Sequence, residues 1–309
     1  MRKAYTLFTG LFLLTAAAYT QTAKKVVLDP ANAHGGNYLT VEPKSQNIQG
    51  VLVLVAGFGE PAENIFTETK LHHVAYKNNI LTVGFGAGPK LYADSLVRAQ
   101  LTAVFKDVLK THKVKPQNFV LGGFSAGGAV VLRYTELCNE FPDRYPISPR
   151  GVFLVDSPID IFTTWNMLEE NLKNNYSQVA VNEAKSAMDI IRNDHGVPRE
   201  NVKTYAELSP FCMDRSYGQH EKFLKNTAVR TYHDVDIAWR LLNRNQTVHN
   251  SNYEVTAELI NRLLLMGNTR AEFMQSFKTG YRANGQRHPH SWSIVDEAEC
   301  IAWMKKLWE

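Results

Sequence analysis

Val51-Leu52-Val53-Leu54-Val55 is the stretch that most constrains the fold. Its five consecutive positions are β-branched or aliphatic, with none left for water. A strand of this kind is covered on both faces, which is the condition of a strand inside a parallel sheet wrapped by helices. Similar short apolar runs recur at Ile80–Val83, Phe119–Leu121 and Val152–Val155, with weaker ones at Val26–Leu28, Tyr38–Val41, Val229–Tyr232 and Phe273–Met274. Amphipathic stretches separate them. Leu96, Val97, Leu101, Val104, Phe105, Val108 and Leu109 follow helical spacing, as do Ala129, Val130, Tyr134, Leu137 and Cys138, and Ile294, Ala298 and Ile301 near the end. Strands alternating with helices predict an α/β fold with a mainly parallel central sheet flanked by helices.

The stretch 161–226 breaks this alternation. It is polar, helical over Trp165–Leu172 and Val181–Ile191, and holds no convincing strand. It is expected to be a helical cap inserted between two core strands, over the C-terminal edge of the sheet. The rest of 21–309 reads as one domain.

Composition excludes more than it identifies. The chain has 309 residues, 44% hydrophobic and 21% charged, with a formal charge of +4. That is too apolar for a disordered chain, and a small excess without a basic, aromatic-interleaved run predicts no nucleic-acid partner. Residues 1–20 carry Arg2 and Lys3 ahead of a short apolar stretch ending in Ala16-Ala17-Ala18. These are the parts of a secretory signal peptide, too short to span a bilayer, so a secreted or periplasmic protein without stable membrane insertion is expected. Three cysteines make no disulfide framework, and Cys138 and Cys300 fall on apolar helix faces as buried thiols.

The sharpest chemical signal is Gly123-Phe124-Ser125-Ala126-Gly127, placed directly between a buried strand and an amphipathic helix. Gly-x-Ser-x-Gly in this setting lifts a serine hydroxyl over the sheet edge on a tight turn, while the glycines let strand and helix approach. The helix N-terminus behind it favours developing negative charge.

With these residues the chain resembles the α/β-hydrolase superfamily along essentially the whole of its length after the signal segment. The resemblance implies a serine hydrolase that needs no cofactor or metal and cleaves carboxylic esters, from a small molecule or a glycan, through an acyl-enzyme. An exported serine peptidase of the same fold and a non-catalytic binding protein are the alternatives. Ser125 is the implied nucleophile. The backbone N–H groups of Ala126 and of Phe58, in the loop Ala56-Gly57-Phe58-Gly59, are the implied oxyanion hole, with Gly59 as the alternative. Ala56 stands where the family often has histidine, which removes a side-chain brace.

The general base is expected in Arg287-His288-Pro289-His290, just before the last helix, as His290 with His288 as alternative. No carboxylate or cysteine at ligand spacing accompanies this His-x-His pair, so no metal site is expected. The acid is expected after the strand Val229–Tyr232, as Asp236 with Asp234 second; Asp156, at the end of Val152–Val155, is a third option. The order Ser125, Asp236, His290 matches the family order. Phe58, Phe85, Phe124, Trp165, Met167 and Phe211 are candidates for an apolar pocket.

Overall fold

In a computed structural model that describes residues 21–29, 31 and 36–309, the strands are β1 Lys24–Val26, β2 Tyr38–Val41, β3 Gly50–Val55, β4 Ile80–Phe85, β5 Phe119–Phe124, β6 Gly151–Val155, β7 Ala228–Asp234 and β8 Ala271–Ser276. The helices are α1 Ala62–Glu68, α2 Leu71–Lys77, α3 Ser95–His112, α4 Ala126–Glu140, α5 Ile161–Asn174, α6 Gln178–His195, α7 Val202–Leu208, α8 Ile237–Arg244, α9 Tyr253–Leu265 and α10 Glu297–Trp308. The expected signal peptide, 1–20, lies outside the described residues.

All eight strands join one sheet in the order β1-β2-β4-β3-β5-β6-β7-β8. β1 and β2 are antiparallel to their neighbours, and β3 to β8 run parallel. β3 is central and its side chains alternate between two cores. Val51, Val53 and Val55 face the core under α3, α4 and α9, whereas Leu52 and Leu54 face the core under α1, α2 and α10. Each of the five is 0% exposed, a burial that contributes about 1.5–3 kcal/mol per side chain. This double coverage explains why the run carries no polar residue.

β1 differs from the apolar run Val26–Leu28. The strand begins two residues earlier, with Lys24 and Lys25 exposed and Lys24 opposite Thr40. It is an edge strand, where lysines guard unpaired backbone and the hydrophobic pattern is correspondingly weak.

The stretch after β6 holds α5, α6, α7 and a 3-10 turn at His220–Leu224, with no strand until β7. Trp165 and Leu168 of α5 pack with Ala184, Ala187, Met188 and Ile191 of α6 and with Tyr205 of α7. This layer also takes in Ala126 at the start of α4 and partly buried Phe58, so it lies over the edge where the elbow sits. From Phe211 onward the chain returns to the main core, to which Phe211 and Leu224 belong. The layer over the sheet edge is therefore α5–α7, and the residues after Leu208 are sheet packing. No helix among the described residues is long and apolar enough to cross a membrane. Cys138, Cys212 and Cys300 are free thiols, all buried.

Candidate active site

Ser125 stands between β5 and α4 with φ 52° and ψ −127°. A non-glycine residue at positive φ is strained, and the surroundings hold it there. Its N–H donates to the Val155 carbonyl of β6 at 2.9 Å, and its own carbonyl accepts from Gly128 at 2.9 Å. The flanking glycines are required by contact. A Cβ on Gly123 would come within 2.2 Å of the Gly127 carbonyl oxygen, and one on Gly127 within 2.4 Å of the Val55 and Ala56 carbonyl oxygens.

The Gly57–Glu60 turn sits beside the elbow. The Gly59 N–H, the alternative oxyanion donor, is engaged with the Gly88 carbonyl at 3.0 Å. The N–H groups of Phe58 and Ala126 meet no acceptor among the described residues. A side-chain brace that sequence reading missed replaces the absent histidine. Glu60 Oε2 accepts from the Gly57 N–H at 3.1 Å, while the Glu60 N–H donates to the Gly57 carbonyl at 3.1 Å. Glu60 Oε1 in turn accepts from Arg282 Nη2 at 3.2 Å, and that guanidinium lies 5.6 Å from the Phe124 ring centroid, one residue before the serine. A glutamate three residues after Gly57 was the available signal, since a glutamate at that spacing can reach back to the N–H of the first residue, as in a capping box.

His290 lines the same cavity as Ser125. Its ring packs on Phe124 with centroids 4.6 Å apart. Its Nδ1 lies 2.8 Å from Oδ2 of Asp156, the geometry of an imidazole held in one tautomer by a carboxylate. The carboxylate against the histidine is thus Asp156, at the end of β6, and neither Asp236 nor Asp234.

The displacement of those two has a local cause. β7 runs on to Asp234, and α8 begins at Ile237, which leaves no loop to carry a carboxylate back toward His290. Asp236 is the N-cap of α8, its Oδ1 accepting from Trp239 N–H at 3.0 Å. Fully buried Asp234 accepts the N–H groups of Lys278 and Gly280, each at 2.7 Å. Arg287 Nη2 bridges both carboxylates at 2.9 Å. The pair therefore anchors the loop on which His290 rides.

Asp156 has φ 44° and is 2% exposed. Besides His290, it meets His233 Nδ1 at 3.3 Å and Asn252 Nδ2 at 3.1 Å on Oδ1, and Arg240 Nη2 at 3.5 Å on Oδ2. Burial alone would raise its pKa, but His290, His233 and Arg240 outweigh it and hold the carboxyl well below the usual range.

His288 is committed elsewhere. Its Nε2 accepts from Arg244 Nη2 at 2.9 Å, which leaves Nδ1–H to donate to the His290 carbonyl at 3.0 Å. Burial, then the His290 and Arg244 charges, push its pKa down to about 3, so it stays neutral and supports the His290 backbone. Of the aromatic and sulfur candidates, Phe58 and Met167 line the cavity; Phe85 and Phe211 are core residues, and Trp165 lies inside the helical layer.

The sheet order, the elbow at the end of β5 and the histidine before α10 together define the α/β-hydrolase fold, which this chain has. It is similar to carboxyl esterase 2 of the mycorrhizal fungus Tuber melanosporum, at 16% identity and a TM-score of 0.59 over 97% of this chain and 88% of that one. It is also similar to an esterase from the bacterial hormone-sensitive lipase family, at 13% identity and a TM-score of 0.54 over 93% and 83%. A third is the fluorophosphonate-binding serine hydrolase F of Staphylococcus aureus, at 10% identity and a TM-score of 0.53 over 92% and 97%. At such identities the likeness is one of fold. No protein-family model and no curated protein matches the sequence.

Proposed function

We propose that the chain is a serine hydrolase of carboxylic esters. The observation that carries this reading is the 2.8 Å contact of His290 Nδ1 with buried Asp156, in a cavity that Ser125 also lines. In this mechanism His290 Nε2 takes the Ser125 proton as Oγ attacks the ester carbonyl. The oxyanion is met by the N–H groups of Phe58 and Ala126, at the N-terminus of α4. His290 then protonates the leaving alkoxide, and a water activated by the same histidine releases the acid and restores Ser125. Asp156 keeps Nδ1 protonated throughout and stabilises the imidazolium.

The cavity supports small ester substrates. Its volume is about 170 Å³, close to the roughly 150 Å³ that accommodates one benzene molecule, so a short acyl chain or a single ring fits. The esterases among its structural neighbours favour the ester over the amide. A fluorophosphonate probe should label the wild type and not Ser125→Ala. A panel of p-nitrophenyl acyl esters should be turned over fastest at short chain length, with aminoacyl anilides poor. A folded wild type that resists labelling would leave a binding protein, and anilide turnover without ester preference would leave a peptidase. We further propose export directed by residues 1–20, which N-terminal sequencing of the full-length product from the medium or periplasm tests.

A further inference from the structure

The cavity beside Ser125 carries a cation that no carboxylate among the described residues meets at ion-pair distance. Arg240, Arg282 and Arg287 surround the site, and each has an acidic partner. Arg240 lies 3.5 Å from Asp156, Arg282 3.2 Å from Glu60 and 3.4 Å from Glu68, and Arg287 2.9 Å from Asp234 and Asp236. Arg244, in the last turn of α8, is built differently. Nη1 donates to Ser177 Oγ at 2.5 Å, Nη2 donates to His288 Nε2 at 2.9 Å, and the guanidinium lies 5.6 Å from the Trp239 ring centroid. All three partners are neutral. Among the described residues no carboxylate forms an ion pair with Arg244.

The surroundings make that isolation costly. Burial lowers the Arg244 pKa, Glu183 raises it, and the like charge of Arg240 lowers it again. Glu183, exposed on α6, lines the same cavity beyond ion-pair reach. A guanidinium in a planar fork has more N–H donors than the hydroxyl and the imidazole use. Its Ser177 and His288 contacts hold that fork on the wall of a cavity that the amides of Asn171 and Gln246 also line.

We infer that Arg244 binds a carboxylate on the substrate, so that the preferred esters carry an anionic acyl or alcohol part. The inference rests on the esterase reading and narrows its substrate class. A carboxylate reaching Arg244 would take the N–H donors that its neutral partners leave unused, forming a charge-assisted pair in a partly dry pocket. Size agrees, because a half-ester of a short dicarboxylic acid fits the cavity volume.

The test compares matched esters by pH-stat titration. Monoethyl succinate, glutarate and adipate are set against ethyl butyrate and valerate, and 4-carboxyphenyl butyrate against phenyl butyrate. The first set places the charge on the acyl side and the second on the alcohol side. The wild type should favour the anionic member of at least one set by about tenfold or more in kcat/KM. Arg244→Met should remove that preference and Arg244→Lys should keep part of it, while Glu183→Gln should raise it. Each ratio is taken within one variant, so a general loss through His288 cancels. Turnover of neutral esters with no anionic preference, or a preference that survives Arg244→Met, overturns the inference while leaving the esterase reading intact. If no ester is hydrolysed, that reading fails instead. Calorimetric binding of monoethyl glutarate to Ser125→Ala, lost in Ser125→Ala/Arg244→Met, then decides on Arg244 by itself.

Discussion

Asp156→Asn and Asp236→Asn are nearly isosteric changes two strand ends apart, and the structure predicts opposite results for them. Asparagine tolerates the left-handed backbone that Asp156 adopts at φ 44°, so the fold should survive. The chemistry should not. Each Asp156 oxygen has one close hydrogen-bond partner, Asn252 at 3.1 Å on one and His290 at 2.8 Å on the other, with His233 at 3.3 Å and Arg240 at 3.5 Å beside them. An amide can satisfy only one side. With its oxygen toward His233 and Asn252, its NH2 faces His290 and forces the proton onto Nε2, the wrong tautomer for a base, a loss of about 10⁴ in kcat. With the amide turned round, the tautomer is kept but the imidazolium loses its counter-charge. At roughly 4 Å and an effective dielectric of about 20 that charge is worth about 4 kcal/mol, or about 10³ in rate.

Asp156→Asn should therefore lose at least about 10³ in kcat on p-nitrophenyl butyrate in either orientation. In Asp236→Asn the replacement still caps α8, since asparagine caps as well as aspartate, and Arg287 keeps Asp234 at 2.9 Å. Its kcat/KM should stay within about threefold of the wild type, with a stability loss of about 1–3 kcal/mol from the weakened Arg287 contact. Steady-state kinetics beside thermal unfolding of both variants checks this. An Asp156→Asn enzyme within tenfold of the wild type, next to a crippled but folded Asp236→Asn, would refute the assignment of the acid to β6.

Glu60→Gln should lower kcat about tenfold with little change in KM on a neutral ester, because the Gly57 N–H and the Arg282 guanidinium both require an acceptor there; an unchanged kcat would mean the turn needs no brace. Gly127→Ala should cost roughly 3 kcal/mol or more in a urea titration, or abolish soluble expression, since its Cβ meets two carbonyl oxygens at 2.4 Å. Burial lowers the pKa of His72 and His220 from 6.5 to about 4, so the unfolded chain binds more protons between those values. Stability is then full above about pH 7 and falls as pH drops through that window, by roughly 1 kcal/mol per histidine between pH 7.5 and 5.5. Urea midpoints should show this decline, and His220→Gln should flatten part of it; a midpoint that rises toward pH 5.5 contradicts the sign.

Local pattern was enough for much of this molecule. Val51–Val55 announced a doubly covered strand because every one of its side chains had to enter one of two cores, and side-chain burial is written directly into residue type. Gly123 to Gly127 announced the elbow because a strained serine and two backbone clashes admit few other residues. His290 was legible because proline and helix-start signals place it on a loop just before α10. In each case the requirement and the residues that meet it are neighbours in the chain.

The carboxylate against His290 and the brace on Gly57 come from longer range. Asp156 and His290 are 134 residues apart, and their 2.8 Å contact joins the end of β6 to the loop before α10. Three aspartates sat at or just after strand ends, and the family resemblance favoured Asp236. Which one reaches the imidazole depended on where β7 stops and α8 starts, and on Arg287 drawing Asp234 and Asp236 away. Glu60 and Arg282 likewise meet across 222 residues, and that Arg244 has only neutral hydrogen-bond partners is visible only in the packed structure. Residue types determined which chemistry was available; the packing of loops at one sheet edge decided which groups perform it, because electrostatic pairing acts over a few ångströms of space and not along the chain.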